Sequence, residues 1–426
     1  MATDSSPPLP SDDLDELGRI AAAELRSGTE PRFIGQLRRA AAALGEGAAR
    51  EHADALLALA EVESARSELA RARSGFQRVL GIDGIRPAVR VMALSGLVMV
   101  NVREGTWSRA ARLGEEAVVL AELHDLDELR STAIAASAIV PASRGELPLA
   151  LQRLERAELP PTRDAGRNDA QPLRAAALVR ARICLAIGLN DWNALQRTLD
   201  GAALGGPSAD HPHHFRRSEW LGLQVLASWH LKKRERADHL ITGWSRGADV
   251  ASDPYFFAFS SVLHDRDGRS GDALDSIHHA LELVGPGEDP LGRAWIRLVA
   301  GTALTRHGGD DGKVEGLAVY KEARSELAAL GASIFVARCD SIIAGAAADV
   351  TDSLSSRPLS ALSEQQRRVA TLVARGFTSA EISARVGVSR KTVDFHVANV
   401  LARLGLSSRR DIRHLLRQSG GEGVEI

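Results

Sequence analysis

From about Asp13 to Ala348 one pattern hardly changes. Apolar residues recur at i, i+3, i+4 and i+7 in windows of roughly 12 to 18 residues, separated by short Gly, Pro or Asp breaks. That spacing places the apolar side chains on one face of a helix. The sustained alternation of Val, Ile, Thr and Tyr with polar residues that marks a half-buried strand is missing. The windows therefore predict an all-α chain, with roughly 16 or 17 helices in this stretch. Alanine and leucine dominate and only 4% of the residues are aromatic, which favours helix. At 426 residues the chain is too long for one compact core, so the helices must form several domains or one extended array.

The helices come in related pairs. In Ser260–Pro286 a first helix ends near Asp267-Gly268. A second starts at Gly271-Asp272 and carries Ala273, Ile277, Ala280 and Leu281 on one face. Ala294–Gly331 repeats the theme, with Gly308-Gly309 as the break and Tyr320, Ala323 and Leu327 behind it. Leu94–Leu123 does so with Gly105, Trp107, Ala110 and Ala117, and weaker echoes fall at Gly145, Ala150 and Ala157 and at Leu185, Trp192 and Ala194. Small residues sit where helices cross, larger ones pack between, and a turn lies near the centre of each pair. This resembles tetratricopeptide repeats. Such pairs cannot bury their apolar faces alone, so they stack into an α-solenoid whose concave surface is suited to a peptide, a partner or another solenoid.

Charge is distributed unevenly. The net charge is −2, but Leu359–Gln418 holds eleven Lys or Arg against four Asp or Glu, leaving a net of −9 for the remainder. A basic segment on an acidic body is the asymmetry of a nucleic-acid-binding tail. The two cysteines, Cys184 and Cys339, give neither a disulfide framework nor metal spacing, so a reducing cytoplasm is the default expectation. The opening MATDSSPPLPSDD has neither the basic start nor the apolar run of a secretion signal. The most apolar stretch, Val91–Val102, falls well short of the about 20 residues needed to span a bilayer.

Three weaker signals are set aside. His211, His213 and His214 cluster in SADHPHHFRR without the helical spacing of a zinc site, so a solvated loop is expected there and no metal. GGDDGKV at Gly308–Val314 lacks the first glycine of a phosphate loop and the Ser or Thr after Lys313. Trp107, Trp192, Trp220, Trp229, Trp244 and Trp295 fall at helical core spacing and read as packing. No nucleophile–base pair, metal motif or phosphate cradle is found, so neither an enzyme nor a cofactor is expected.

Leu362–Gln418 is the most informative part of the chain. Ser363 with Gln366 and Thr378 with Glu381 fit capping boxes, in which each pair satisfies the other's end-group backbone donors. Ser389 and Ser408 start two further helices, and Gly376, Gly387 and Gly405 stand where the preceding helices need a left-handed cap. The predicted layout is helices 364–375, 379–386, 390–404 and 408–418, the second and third joined by a short turn as in a helix-turn-helix.

These residues resemble the LuxR/NarL-type (GerE-like) DNA-binding domain. The resemblance covers about 57 of the 426 residues. It rests on LSEQQRRV, Gly376, Thr378, Glu381–Ser383, Ser389, Lys391–Val393, His396, Asn399, Arg403–Gly405 and Ser408-Arg409. Gln365-Gln366 replaces the family's Arg-Glu, Ser383 its usual alanine and Arg403 its usual lysine. The first change removes a charge that orders the helix start, a role Gln366 fills only in part. The sequence also lacks the phosphate loop that large ATP-binding members carry upstream of their repeats, and any βα segment able to host a phosphorylated receiver.

At 100° per residue, Val393, Val397, Val400, Leu401 and Leu404 cluster within about 100° and form the core side of the third helix. Lys391, Asp394, Phe395, Ala398 and Ala402 fall opposite. A helix-turn-helix places that exposed face in the major groove, so these residues form the expected reading face. Ser389 and Thr392 can donate to phosphate beside free backbone N–H groups. Arg390, Lys391, Arg403 and Arg409 supply positive charge for backbone contacts. The resemblance carries Thr378 and Asn399 into the same DNA-binding set. Asp394 has two readings: a solvated acid at the positive end of the helix dipole, or an acceptor for cytosine N4–H. Phe395 is an exposed ring suited to a thymine methyl.

The expectation is a DNA-binding transcriptional regulator with duplex DNA as partner and no membrane. The layout is a disordered 1–12, a tetratricopeptide-like repeat domain at 13–348, a Ser-rich linker at 349–360, a LuxR-type domain at 361–418 and a flexible tail at 419–426. The repeat domain would bind an unidentified peptide, protein or small-molecule signal. A homodimer is expected, with Ile412, Leu415 and Leu416 as candidate contacts, unless these residues close the domain core. The alternative is a protein-interaction scaffold whose C-terminal module serves dimerisation or docking.

Overall fold

The computed structural model describes residues 13–45, 48–158, 171–203, 214–247, 250–285, 289–345 and 362–404, together with Arg409 and Ile412. Among them all regular structure is helical and no strand occurs. The N-terminal helices are α1 (Leu14–Arg26), α2 (Ile34–Ala43), α3 (Ala53–Ala65), α4 (Leu69–Leu80), α5 (Pro87–Arg103) and α6 (Trp107–Leu123). The middle of the array is α7 (Asp127–Arg144), α8 (Leu147–Glu158), α9 (Gln171–Gly188), α10 (Trp192–Ala203), α11 (Arg217–His230) and α12 (Arg234–Trp244). It ends in α13 (Pro254–Arg266), α14 (Ser270–Leu283), α15 (Pro290–His307), α16 (Gly309–Leu330) and α17 (333–345). The proposed linker, both proposed termini and the residues His211, His213, Ser408, Leu415 and Leu416 lie outside the described residues.

The pairing has a backbone cause. Between α3 and α14, seven of the helix–helix turns use the same device: one residue in the left-handed region, followed by an N–H that reaches back across the turn to the end of the first helix. The left-handed residues are Ser67, Gly105, Asp125, Gly145, Asn190, Lys232 and Gly268. The returning bonds run from Glu68 to Glu63, Thr106 to Asn101, Leu126 to Ala121, Glu146 to Pro141, Asp191 to Ala186, Lys233 to Ser228 and Arg269 to His264, all at 2.8–2.9 Å. This 6→1 bond is the Schellman closure. It reverses the chain in three residues, so successive helices pack antiparallel.

Each helix packs on its neighbour, and odd helices also pack on odd ones: α3 on α5, α5 on α7, α7 on α9, α11 on α13 and α13 on α15. The odd helices form the inner layer. Thus α5 and α7 are buried nearly all round, whereas α6 and α8 bury only a stripe. Close approach requires small residues at the crossings. A Cβ on Gly301 would lie 2.8 Å from the Tyr320 ring, and one on Gly18 2.7 Å from the Ala55 backbone. Trp107, Trp220 and Trp244 are buried, as packing predicts. The array is solenoid-like and curls on itself, since α1 and α5 also touch α9. Between α1, α3 and the starts of α5, α7 and α9 it leaves an open groove of about 790 Å³.

Three features depart from a plain stack. His214, expected in a solvated loop, is 2% exposed. Its N–H donates to the Ala65 carbonyl at 3.4 Å and its Nδ1 lies 3.3 Å from the Ser64 hydroxyl, so it belongs to the packed interior. Second, α17 folds back over the middle of the array. Ser333 Oγ donates to the Arg144 carbonyl at 2.6 Å, Phe335 meets the Trp295 ring edge-on at 5.2 Å, and the Arg338 guanidinium lies over Trp192 at 5.9 Å.

Third, four charged residues from α5, α9, α11 and the start of α15 meet inside. Arg180 is 4% exposed and pairs with Glu219 at 3.3 Å and Asp289 at 3.8 Å. Arg103, 3% exposed, stands close enough for its charge to be felt by the same group. Burial, reinforced by Glu219, raises the Asp289 carboxyl to about 6 despite Arg180.

Candidate nucleic-acid interface

The C-terminal module is built from α18 (Glu364–Ala374), α19 (Ser379–Val386) and α20 (Arg390–Leu404), with Arg409 and Ile412 in a further helical segment. Both expected capping boxes form. The Ser363 N–H donates to Gln366 Oε1 at 3.0 Å while the Gln366 N–H donates back to Ser363 Oγ at 3.3 Å. The neutral Gln366 thus closes the box despite the lost charge. Thr378 and Glu381 do the same for α19, with the Thr378 N–H 2.7 Å from Glu381 Oε2. That hydrogen bond, then the one from the Thr378 hydroxyl, lowers the Glu381 pKa. Gly376 and Gly387 take left-handed φ values of 91° and 72°, and Ser389 caps α20 through the Thr392 N–H at 3.1 Å.

The core is small and closed. Leu362, Val369, Val373, Ile382, Val393, Val400 and Ile412 are all 3% exposed or less. Ile412 therefore corrects one expectation. At 0% exposure it closes the module's own core and has no surface left to offer a second copy. The phase of α20 follows the 3.6-residue period: Val393, Val397 and Val400 face the core, Leu401 is half-buried, and Lys391, Asp394, Phe395 and Ala398 are exposed. Phe395 shows 63% of its surface to solvent, in a module whose other described large apolar side chains are buried or half-buried. Arg390 and Ser389 are exposed, and Thr392 and Asn399 are half-buried. Arg403 lies within α20, but its side chain lies outside the described residues.

Several side chains take roles that the sequence pattern does not reveal. Ser379 Oγ donates to Asp394 Oδ1 at 2.6 Å, and Arg409 Nη1 donates to Ser379 Oγ at 2.8 Å. Arg409 Nη2 donates to the Phe377 carbonyl at 2.9 Å. This relay ties the last helical segment to α19 and α20. It holds the half-buried Arg409 guanidinium against α19 and uses one oxygen of Asp394. Ser383, where the family has alanine, donates to the Val388 carbonyl at 2.6 Å and braces the turn before α20. Arg385 stacks on Phe377 at 3.9 Å. None of these contacts spans a helical period, so no periodic signal announces them.

Residues 360–416 match the family described as bacterial regulatory proteins, luxR family. The module is a LuxR-family helix-turn-helix domain. The LuxR-family match extends to curated proteins. Over 58 residues the chain is 40% identical to the probable transcriptional regulatory protein SgaR of Hyphomicrobium methylovorum, covering 14% of this chain and 28% of that protein. Over 66 residues it is 36% identical to the transcriptional regulatory protein UhpA of Salmonella typhimurium, covering 16% and 34%. The chain thus spans about a third or less of the curated relatives it matches. What the LuxR-family module brings is a positively charged helix start and an exposed face of α20 that the rest of the fold leaves uncovered. Among the described residues no helix is long and apolar enough to cross a membrane.

Proposed function

We propose that this chain is a transcriptional regulator. Its LuxR-family module, 361–418, reads duplex DNA in the major groove as a dimer. A tetratricopeptide-like domain, 13–348, binds a signal or partner and controls the module through a linker at 349–360. The observation that supports this reading best is the face of α20: Lys391, Asp394, Phe395 and Ala398 lie exposed opposite a fully buried valine row. An exposed ring on the second helix of a helix-turn-helix is suited to a base edge, where burial of its apolar surface is favourable. In this reading Thr378, Ser389, Arg390, Lys391, Thr392, Asn399 and Arg403 position the backbone, and Asp394 and Phe395 discriminate bases. Arg409 contributes by holding Asp394 through Ser379.

The test is retardation of duplex DNA over a salt series, with selection of bound sequences from a random pool. Lys391→Ala is expected to weaken all sequences alike and to lower the salt slope by about 1. Phe395→Ala is expected to relax preference at one or two positions by roughly 1–3 kcal/mol. Equal losses on selected and random DNA for both variants would remove the assignment of the reading face. Asp394→Ala separates its two roles. If Asp394 reads cytosine, the selected sequence changes at one position, whatever the lost bond to Ser379 does to melting. If the relay to Ser379 is its whole role, melting falls and the selected sequence is unchanged.

A further inference from the structure

The interior charge cluster borders a cavity of about 460 Å³, within the range of small-molecule sites. Its wall includes Leu69, Arg73, Arg103, Glu219, Asp289 and Pro290, from α4, α5, α11 and the start of α15. Most of the charges around it are neutralised by protein. Arg73 pairs with Glu104 at 3.0 Å, Arg293 with Glu326 at 3.1 Å, and Arg180 with both Glu219 and Asp289. Arg103 is different. Its Nη2 donates to Ser67 Oγ at 2.8 Å and its Nη1 to the Ser64 carbonyl at 3.5 Å, both neutral acceptors, while Nε has no partner. No carboxylate among the described residues forms an ion pair with it. The nearby acids Glu219 and Asp289 are already engaged with Arg180.

A buried guanidinium held only by neutral oxygens is costly. Burial, and then repulsion from Arg180, pull its pKa down to about 10. Two neutral acceptors orient the fork, and Glu219 and Asp289, paired with Arg180, offset its charge only from beyond ion-pair distance, which leaves a place for an anion. The apolar Leu69 and Pro290 on the same wall suit a ligand with an organic body. We propose that this cavity binds a small organic carboxylate, with Arg103 as its counter-ion and Leu69 and Pro290 against its carbon frame. The proposal rests on the reading of the repeat domain as the part that binds a signal, and it names the chemical class of that signal.

Benzoate and succinate serve as probes, with benzamide as the uncharged control, by calorimetry on the full chain without DNA at matched ionic strength. Binding of at least one carboxylate, with benzamide not bound, is expected. Arg103→Gln is expected to weaken that carboxylate roughly tenfold to a hundredfold, the loss of one charge-assisted hydrogen-bonded contact. Leu69→Trp, which fills the cavity and leaves Arg103 in place, is expected to abolish binding and decides the matter should Arg103→Gln fail to fold. The site is overturned if neither carboxylate binds the parent at 10 mM (about the weakest affinity worth the name for a ligand this small). It is equally overturned if benzamide binds as well as benzoate, or if folded variants bind like the parent. Gel retardation is scored separately. Carboxylate binding without DNA binding leaves the site standing and removes the regulator reading. DNA binding without carboxylate binding does the reverse.

Discussion

Arg180→Met is expected to cost about 3–5 kcal/mol of folding stability, the typical loss when one partner of a buried ion pair is removed. Arg180 is 4% exposed, and its guanidinium is the cation that pairs with both Glu219 and Asp289. Methionine keeps much of the stem's packing, so the loss reports the charge. Its signature is a dependence on pH. In the folded parent Asp289 takes up its proton near pH 6, whereas its unperturbed value is 3.8. Between those values the folded state binds the extra proton and is favoured by acid, and that contribution is lost as pH rises through about 6. Without Arg180 the carboxyl moves higher still. The deficit of Arg180→Met should therefore be larger at pH 8 than at pH 5, as read from urea midpoints at the two pH values. A deficit independent of pH would show that removing Arg180 leaves the protonation of Asp289 unchanged between pH 5 and 8.

The second large effect is expected at Gly145. It closes the α7–α8 turn at φ +84°, and a Cβ there would lie 2.6 Å from Ile334 Cβ on α17. Gly145→Ala combines a left-handed penalty of roughly 1–2 kcal/mol with overpacking of roughly 1–3 kcal/mol. The two parts separate in a double-mutant cycle. Ile334→Gly removes the Cβ that the new methyl would meet and lets α17 relax, so Gly145→Ala should cost less in that background. What then remains is the backbone part. Equal costs in both backgrounds would mean that α17 is not seated on this turn.

What was legible in the sequence was what is local or periodic. The Ser363–Gln366 and Thr378–Glu381 boxes involve residues three apart, so composition and spacing alone reveal them. The burial of Val393, Val397 and Val400 follows from helical phase. The helix pairs follow from phase together with Gly105, Gly145 and Gly268, although Ser67, Asp125, Asn190 and Lys232 take the same left-handed turn with no glycine to announce it. Contacts set by how helices cross were not legible. Ser379 meets Asp394 across fifteen residues. His214 meets Ser64 across 150. Its polar neighbours suggested a wet loop, yet its ring is buried. Arg103 and Arg180 sit in strongly apolar helices, and only the curl of the array shows that they face inward together rather than outward to water. Ile412 could be read as an interface or as core from sequence, and burial decides for core.

The hydrogen bond from Ser333 to Arg144 joins positions 189 apart in the chain. Closing so long a loop costs little more entropy than closing one half its length. Mechanically, the contact changes how the array carries load. A change in spacing between α7 and α9 has a serial route to residue 345, through every helix in between, each compliant. It also has a parallel route through Arg144, Ser333 and Ile334 that bypasses them. When springs are joined this way the shortest one governs the stiffness. The centre of the array and the last described helix before the DNA-binding module therefore respond as near neighbours, although about two hundred residues of chain lie between them.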